Sequence, residues 1–188
     1  MIYVTDTNDI IILDNYKVKN LAYSNYLNLP KREDIRQFRN LTILSIYYVQ
    51  VNKIPSASFN NLNNLKELLV TVTNITTIDA VAISYLPSLI KLDLSHNKIS
   101  KMHRIAFNFL PKLEILDLMD NHIQELHAGT FASLNMLKHL DLEYNPLKIF
   151  QLPLFLANKN FLAKDSYLQF SSGISVKLFI FYFKQKTV

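Results

Sequence analysis

The 188-residue sequence contains no cysteine, no tryptophan and only two glycines. Without cysteine the chain has no thiol nucleophile, and it lacks the disulfides that often hold small secreted domains together. Two glycines, Gly129 and Gly173, are too few for a phosphate-binding loop or a nucleophile elbow. These absences argue against several common enzyme designs. We therefore predict that the chain is not an enzyme and uses no cofactor.

Long apolar runs and a secretory signal segment are also lacking. The apolar run from Leu178 to Phe183 is far shorter than the roughly 20 residues that cross a bilayer. No membrane span is therefore predicted. Met1 is followed by Ile-Tyr-Val-Thr-Asp and not by a basic start with a long apolar stretch. Two interpretations stay open: the protein remains in the cytosol, or its natural amino terminus lies upstream.

The sequence does contain one pattern, written several times at an offset of 24 residues. LIKLDLSHNKISKMHRIAFNFLPK begins at Leu89, LEILDLMDNHIQELHAGTFASLNM at Leu113 and LKHLDLEYNPL at Leu137. Divergent copies begin at Leu41 and Leu65. We call the copies turns 1 to 5 in chain order and number the positions of each turn from 1. A fixed period of roughly 20 to 50 residues indicates a solenoid.

Apolar residues keep the same positions in every turn. Positions 1, 4, 6, 11, 14, 19 and 22 are apolar throughout, apart from Asn158 at position 22 of turn 5. Positions 3 to 7 are predicted to form a short strand, with positions 4 and 6 pointing inward and positions 3, 5 and 7 outward. Because one turn cannot bury its apolar side alone, stacked turns must share a continuous core.

The motif LxxLxLxxNxI, followed by an apolar residue and FxxL, resembles the leucine-rich repeat. Its 24-residue form, and the segment IQELHAGTF, are similar to insect leucine-rich-repeat immune proteins and Toll-like receptor ectodomains. The resemblance covers Leu41 to Phe155. It implies an α/β leucine-rich-repeat solenoid, curved, with a parallel sheet on the concave side and an irregular or short-helical convex side.

Position 9 carries Asn97, Asn121 and Asn145 in turns 3 to 5. The resemblance implies that these amides form a structural ladder, hydrogen-bonded to the backbone of their own and the adjacent turn. Val49 and Thr73 take this position in turns 1 and 2. We therefore expect the amide ladder to be absent there and those turns to be looser.

The two ends of the chain depart from the repeat. We predict an amino-terminal cap with a degenerate first repeat in residues 1–40, five leucine-rich repeats in 41–160, and a carboxyl-terminal cap or divergent tail in 161–188. Ile2 to Val4 and Ile10 to Leu13 flank the turn-rich Thr5 to Asp9, which predicts a hairpin.

The segment from Val18 to Asn40 approximates a turn, with Leu21 and Tyr23 near positions 4 and 6. After Phe155 the frame fails, because Lys164 and Ser166 would then fall at those two inward positions. We interpret this end as truncated or divergent.

Candidate contact residues lie at the outward positions, because solenoids present their binding surface on the concave sheet. Position 5 of turns 3 to 5 is a column of aspartates about 4.8 Å apart. Exposed aromatics on a rigid sheet are frequent interface anchors. We predict a protein-binding surface with these members: Tyr47, Tyr48, Asp93, His96, Asp117, Asp120, His139, Asp141, Glu143 and Tyr144.

Other chemistries fit these residues less well. The histidines His96, His122, His127 and His139 have no zinc-signature spacing, so no metal site is predicted. Paired carboxylates can hydrolyse glycosides, but a regular open sheet offers no pocket to desolvate them. The net charge of +5 is compatible with nucleic acid binding. However, the outward face is acidic, and the sequence contains no nucleic-acid recognition motif.

The family resemblance implies an extracellular recognition module of innate immunity, secreted and glycosylated. Its partner would be a protein, complement-like or another leucine-rich-repeat chain, and homo- or hetero-dimers fit this hypothesis. The sequons Asn40-Leu-Thr42 and Asn74-Ile-Thr76 would be glycosylated in the secretory pathway. Two alternatives stay open: an intracellular cytoplasmic adaptor, and a fragment that self-associates through its apolar carboxyl end.

Overall fold

The computed structural model describes residues 2–4, 19–24, 38–127, 129–148 and 167–169, and within them the regular structure consists of strands. Each turn supplies one strand that begins at position 3 and extends to position 7 in turns 1 and 2 but only to position 5 in turns 3 to 5. Turns 1 to 3 supply a second, two-residue strand at positions 13 and 14. The strands are β1 Ile2–Val4, β2 Asn20–Ser24, β3 Ile43–Tyr47, β4 Lys53–Ile54, β5 Glu67–Thr71, β6 Thr77–Ile78, β7 Lys91–Asp93, β8 Lys101–Met102, β9 Ile115–Asp117, β10 His139–Asp141 and β11 Tyr167–Gln169.

The larger sheet follows chain order, β1-β2-β3-β5-β7-β9-β10-β11, and every neighbouring pair is parallel. Leu44 of β3 pairs with Leu68 of β5, and Leu68 pairs with Leu92 of β7, so the register advances by one 24-residue repeat per strand. The smaller sheet, β4-β6-β8, is parallel with the same offset. This arrangement confirms the predicted solenoid.

The core lies behind the large sheet, and its buried side chains extend from Leu21 to Leu147. In β3 the burial alternates as predicted, with Leu44 and Ile46 buried and the three residues between and beside them half-buried. Fully burying a leucine-sized side chain stabilises a fold by about 1.5–3 kcal/mol. Since position 4 of each turn touches its neighbours above and below, no turn is stable by itself.

Position 9 holds neighbouring turns together by hydrogen bonds. Asn121, which is 2% exposed, donates through Nδ2 to the carbonyls of Leu94 in the previous turn and Leu118 in its own, at 2.9 and 3.1 Å. Its Oδ1 accepts the amide N–H of Ile99 at 2.9 Å. Asn97 and Asn145 make equivalent bonds to the backbone. The ladder therefore satisfies buried backbone groups that the turns would otherwise leave unpaired.

The expectation that this ladder is absent from turn 2 was wrong. The hydroxyl and the backbone N–H of Thr73 both donate to Oδ1 of Asn97, the latter at 3.0 Å. The same hydroxyl oxygen accepts the N–H of Ile75 at 3.3 Å. A threonine hydroxyl can both donate and accept, so it extends the ladder by one turn. At Val49 the side chain has no polar atom, and the ladder ends there.

Position 8, which directly follows the strand in turns 1 and 2 and lies three residues beyond its end in turns 3 to 5, has a left-handed backbone in every turn. These non-glycine residues have φ between 51 and 56°: Tyr48, Val72, His96, Asp120 and Tyr144. This conformation costs an L-residue about 1–2 kcal/mol. Contacts with the adjacent turns therefore impose this bend.

The ends of the large sheet extend the stack beyond turns 1 to 5. Strand β2 pairs in register with β3, Leu21 opposite Leu44. Strand β11 pairs with β10, Leu168 opposite Leu140, an offset of 28 residues where 24 is usual. Four additional residues thus explain why the frame fails after Phe155. The predicted hairpin strand at residues 10–13 and the apolar run 178–183 lie outside the described residues, and the division into cap, repeats and tail stays a prediction.

Candidate functional site

Three aspartates line up across adjacent strands of the large sheet. Asp93, Asp117 and Asp141 occupy the same register in β7, β9 and β10. In each, Oδ1 accepts the backbone N–H two residues further on, at 2.8 to 3.1 Å, from Ser95, Met119 and Glu143 respectively. The carboxylates therefore stabilise the bend after each of these strands, in addition to giving the surface its negative charge. The sequence prediction did not include this structural function.

Burial raises the pKa of Asp117 above its ordinary value of 3.8, and the neighbouring carboxylates of Asp93 and Asp141 raise it further. The bond from the Met119 N–H and the charge of Lys91 act in the opposite direction. Burial is also the largest cause that raises the pKa of Asp141. The column is thus a site of concentrated and partly desolvated negative charge. A cation placed beside it would lower the energy of the ionised state.

Replacing Asp117 by asparagine is expected to raise stability near pH 7. Because the pKa of Asp117 is raised in the folded state, protonation stabilises the fold below about pH 3.8, and this contribution is lost as pH rises through the folded pKa. Asparagine keeps the Oδ1 acceptor for the Met119 N–H and carries no charge. The melting temperature of Asp117→Asn should exceed that of the unmodified chain at about pH 7, and the difference should vanish near pH 3. An equal difference at both pH values would contradict this explanation.

Tyrosines lie in the first and the last of the five turns. Tyr47 is half-buried in β3, and Tyr48 beside it is 57% exposed. Their rings meet edge to face, with centroids 5.9 Å apart. Tyr144, in turn 5, is 63% exposed. Since turns 1 and 5 are four strand spacings apart, about 19 Å, the structure places the tyrosines as separate anchors and not as one cluster.

The remaining predicted residues lie on the rim of the sheet or at a strand start. His96 and Asp120, both exposed at position 8, are joined through Nδ1 and Oδ2 at 2.8 Å. His139 begins β10 and is exposed, opposite Ile115 of β9. Glu143 is half-buried and follows Asp141 by two residues. Because the strands end before position 8, His96 and Asp120 lie beside the sheet and not within it.

Within the parts of the chain that the structure describes, no group of three or more histidine, aspartate or glutamate side chains is placed to hold a metal ion. No helix in those same parts is long and apolar enough to cross a membrane.

Sequence reasoning missed an exposed aromatic pair on the flank of the solenoid. Tyr85 and Phe109, both at position 21, are 49% and 55% exposed. Their rings stack with centroids 4.5 Å apart and an interplanar angle of 13°. The signal was present, since the two residues are one repeat apart, but position 21 is not among the apolar positions of the motif.

A sequence model of the leucine-rich repeat family matches residues 39–99 and 87–147, which together span 39–147, or 109 of the 188 residues. The fold is similar to the crystal structure of the leucine-rich repeat domain of APL1B, with a TM-score of 0.63 and 20% identity. That alignment covers 82% of this chain and 42% of the APL1B chain. The sequence has no significant match among curated proteins. At this identity the likeness to APL1B speaks for the fold alone.

Proposed function

Because the chain belongs to the leucine-rich repeat family, whose domains generally mediate protein–protein interactions, we propose that it is a non-enzymatic module that binds a protein partner through its concave sheet. One observation carries the proposal: carboxylates in register on β7, β9 and β10 share the sheet with exposed tyrosines of turns 1 and 5. A rigid sheet that carries both groups needs little ordering to bind.

The chemistry of this surface favours a partner with a basic patch beside apolar side chains. Partner lysines or arginines would face Asp93, Asp117 and Asp141, and apolar groups would contact the rings of Tyr48 and Tyr144. Complementary charge mainly raises the association rate and excludes wrong partners, whereas buried aromatic anchors supply most of the affinity.

We place this recognition in innate immunity. The support is the fold shared with APL1B, an insect immune leucine-rich repeat protein, of which this chain spans less than half. The proposed partner is a complement-like protein or another leucine-rich-repeat chain. The same contact between two copies would make a homodimer.

The test compares two charge-matched triple variants. Asp93→Asn, Asp117→Asn and Asp141→Asn remove three negative charges from the sheet but keep the acceptors of the strand-end bends. Asp79→Asn, Glu114→Gln and Glu125→Gln remove three elsewhere. Each protein is immobilised, extracellular fluid and cytosol from the source are passed over separately, and retained proteins are identified by mass spectrometry and titrated individually. We expect the concave variant alone to bind its partner about tenfold more weakly. Equal binding by both variants would contradict the concave site.

We further propose that the protein is extracellular. Asn40 and Asn74, the acceptor residues of the two sequons, are both exposed, so a glycan would meet no core packing there. Protein isolated from its natural source should lose mass on treatment with an N-glycosidase, and Asn74→Gln should remove one glycan. Unmodified protein recovered from the cytosol would instead establish the intracellular adaptor.

A further inference from the structure

The smaller sheet is closed by backbone hydrogen bonds between turns 2 and 3. The N–H groups of Ser100 and Lys101 both donate to the carbonyl of Thr76, at 3.0 and 3.2 Å, and the N–H of His103 donates to Ile78 at 3.1 Å. The same three bonds, one repeat earlier, join turns 1 and 2. These rungs hold the turns at strand spacing on the side opposite the concave sheet.

Between turns 3 and 4 these rungs are missing. Their counterparts would run from the N–H groups of Gln124 and Glu125 to the carbonyl of Ser100, and from the N–H of His127 to Met102; in the described part of the chain, none of them forms. The opening is local. The N–H of His122 donates to Ile99 at 3.0 Å just before it, and the N–H of Lys148 donates to Gln124 at 2.9 Å in the following turn.

A groove of about 1310 Å³ runs over the smaller sheet, from Ser56 and Thr77 to Ala80, and extends across this opening, where residues from both of its sides line it. The carbonyls of Ser100 and Met102 are two residues apart on one side, and the N–H groups of Glu125 and His127 are two residues apart on the other. That is the spacing at which the backbone of a strand presents its groups to a neighbour. An extended chain complements both rows, as in recognition by β-strand addition.

The charges around the groove favour an acidic occupant. The basic side chains of Lys101 and Arg104 are exposed on the β8 side. Of the lining carboxylates, Asp79 already faces the ammonium of Lys53 at 3.6 Å, which leaves Glu125. The uncompensated charge beside β8 is therefore positive.

We propose that this groove binds an extended acidic segment of a partner protein, which adds a strand along β8. Its backbone N–H groups donate to the carbonyls of Ser100 and Met102, and its carboxylates face Lys101 and Arg104. This site lies on the other side of the solenoid from the aspartate column and does not depend on it.

Peptide binding tests the proposal. The probe is a fluorescein-labelled ten-residue peptide of alternating threonine and glutamate, followed by fluorescence anisotropy. Lysine replaces glutamate in one control peptide, and two others carry N-methyl groups on the odd or the even residues, which remove the donors of one edge each. The lysine peptide and at least one methylated peptide should bind about tenfold more weakly or worse. The double variant Lys101→Glu, Arg104→Glu should lose binding to a similar degree, while the concave triple variant should retain it.

Hydrogen exchange provides the second measurement, with His103 and His127 as a matched pair at position 15. In the free protein the backbone amide of His103 should be protected from exchange, and that of His127 should exchange rapidly. Binding of the glutamate peptide should slow the exchange of the His127 amide. Equal protection of both amides without peptide would overturn the proposal, because the groove would then be closed. Three further results would also overturn it: no binding up to about 1 mM peptide, binding that N-methylation does not affect, and protection of His127 that rises with protein concentration alone.

Discussion

Replacing Asn121 by alanine should lower the free energy of unfolding by about 3 kcal/mol, because buried polar groups left unpaired cost about 1–3 kcal/mol each and do not add fully. The Asn121 side chain bonds the carbonyl of Leu94 and the N–H of Ile99, both in the previous turn. Alanine leaves the N–H of Ile99 without its partner, and the carbonyl of Leu94 keeps only the bond from Nδ2 of Asn97. Urea unfolding followed by circular dichroism measures the change.

The effect should reach beyond turn 4, since the stability of a repeat array is a sum of turn and nearest-neighbour contributions. Asn121 supports the junction between turns 3 and 4, which lacks the rungs of the smaller sheet in the described residues. The unfolding transition of Asn121→Ala should therefore become broader. Asn63→Ala, an exposed asparagine, is the control and should change stability by less than about 0.5 kcal/mol. A loss below about 1 kcal/mol for Asn121→Ala would contradict the ladder as a stabilising element.

Replacing Phe107 by alanine should cost about 4 kcal/mol, within the range for buried phenylalanines. Its ring is fully buried at position 19 and stacks on that of Phe131 in the next turn, with centroids 6.3 Å apart. Truncation leaves a cavity that the surrounding leucines cannot fill without moving the stacked turns. Thermal and urea unfolding of the variant measure the loss.

Phe109→Ala is the matched control, with the same substitution two residues away. Phe109 is 55% exposed and contacts Tyr85, so its removal should cost less than about 1 kcal/mol. Similar losses of unfolding free energy for the two variants would contradict the assignment of position 19 to the hydrophobic core. A gain in solubility without loss of stability in Phe109→Ala would mark the aromatic pair as a surface feature.

The path of the large sheet follows from the spacing of the chain's apolar residues. Leu44, Leu68, Leu92, Leu116 and Leu140 recur every 24 residues, and only a stack with one turn per repeat buries them all. The same spacing by itself predicts that Asp93, Asp117 and Asp141 form one column. It could not show that each carboxylate also accepts a backbone N–H, because that bond depends on the bend after the strand.

Position 8 shows a limit of local sequence signals. A left-handed backbone usually indicates glycine or asparagine, yet tyrosine, valine, histidine and aspartate occupy it here. The bond from the Tyr48 N–H to the carbonyl of Val72, in the next turn, illustrates the cause. Contacts between turns hold the bend, so the residue's own preference is overruled.

The sequence by itself determined the fold, the burial of the repeat's apolar positions and the order of the strands, because these depend on the 24-residue period of its apolar residues. Only the tertiary structure showed the hydrogen bonds of Thr73 and the 28-residue offset between β10 and β11. The same holds for the stacking of Tyr85 on Phe109 and for the opening between turns 3 and 4 beside Met102. Each of these depends on how the backbones of adjacent turns are spaced in three dimensions. That spacing is a property of the packed stack, which the residue types of a single turn do not encode.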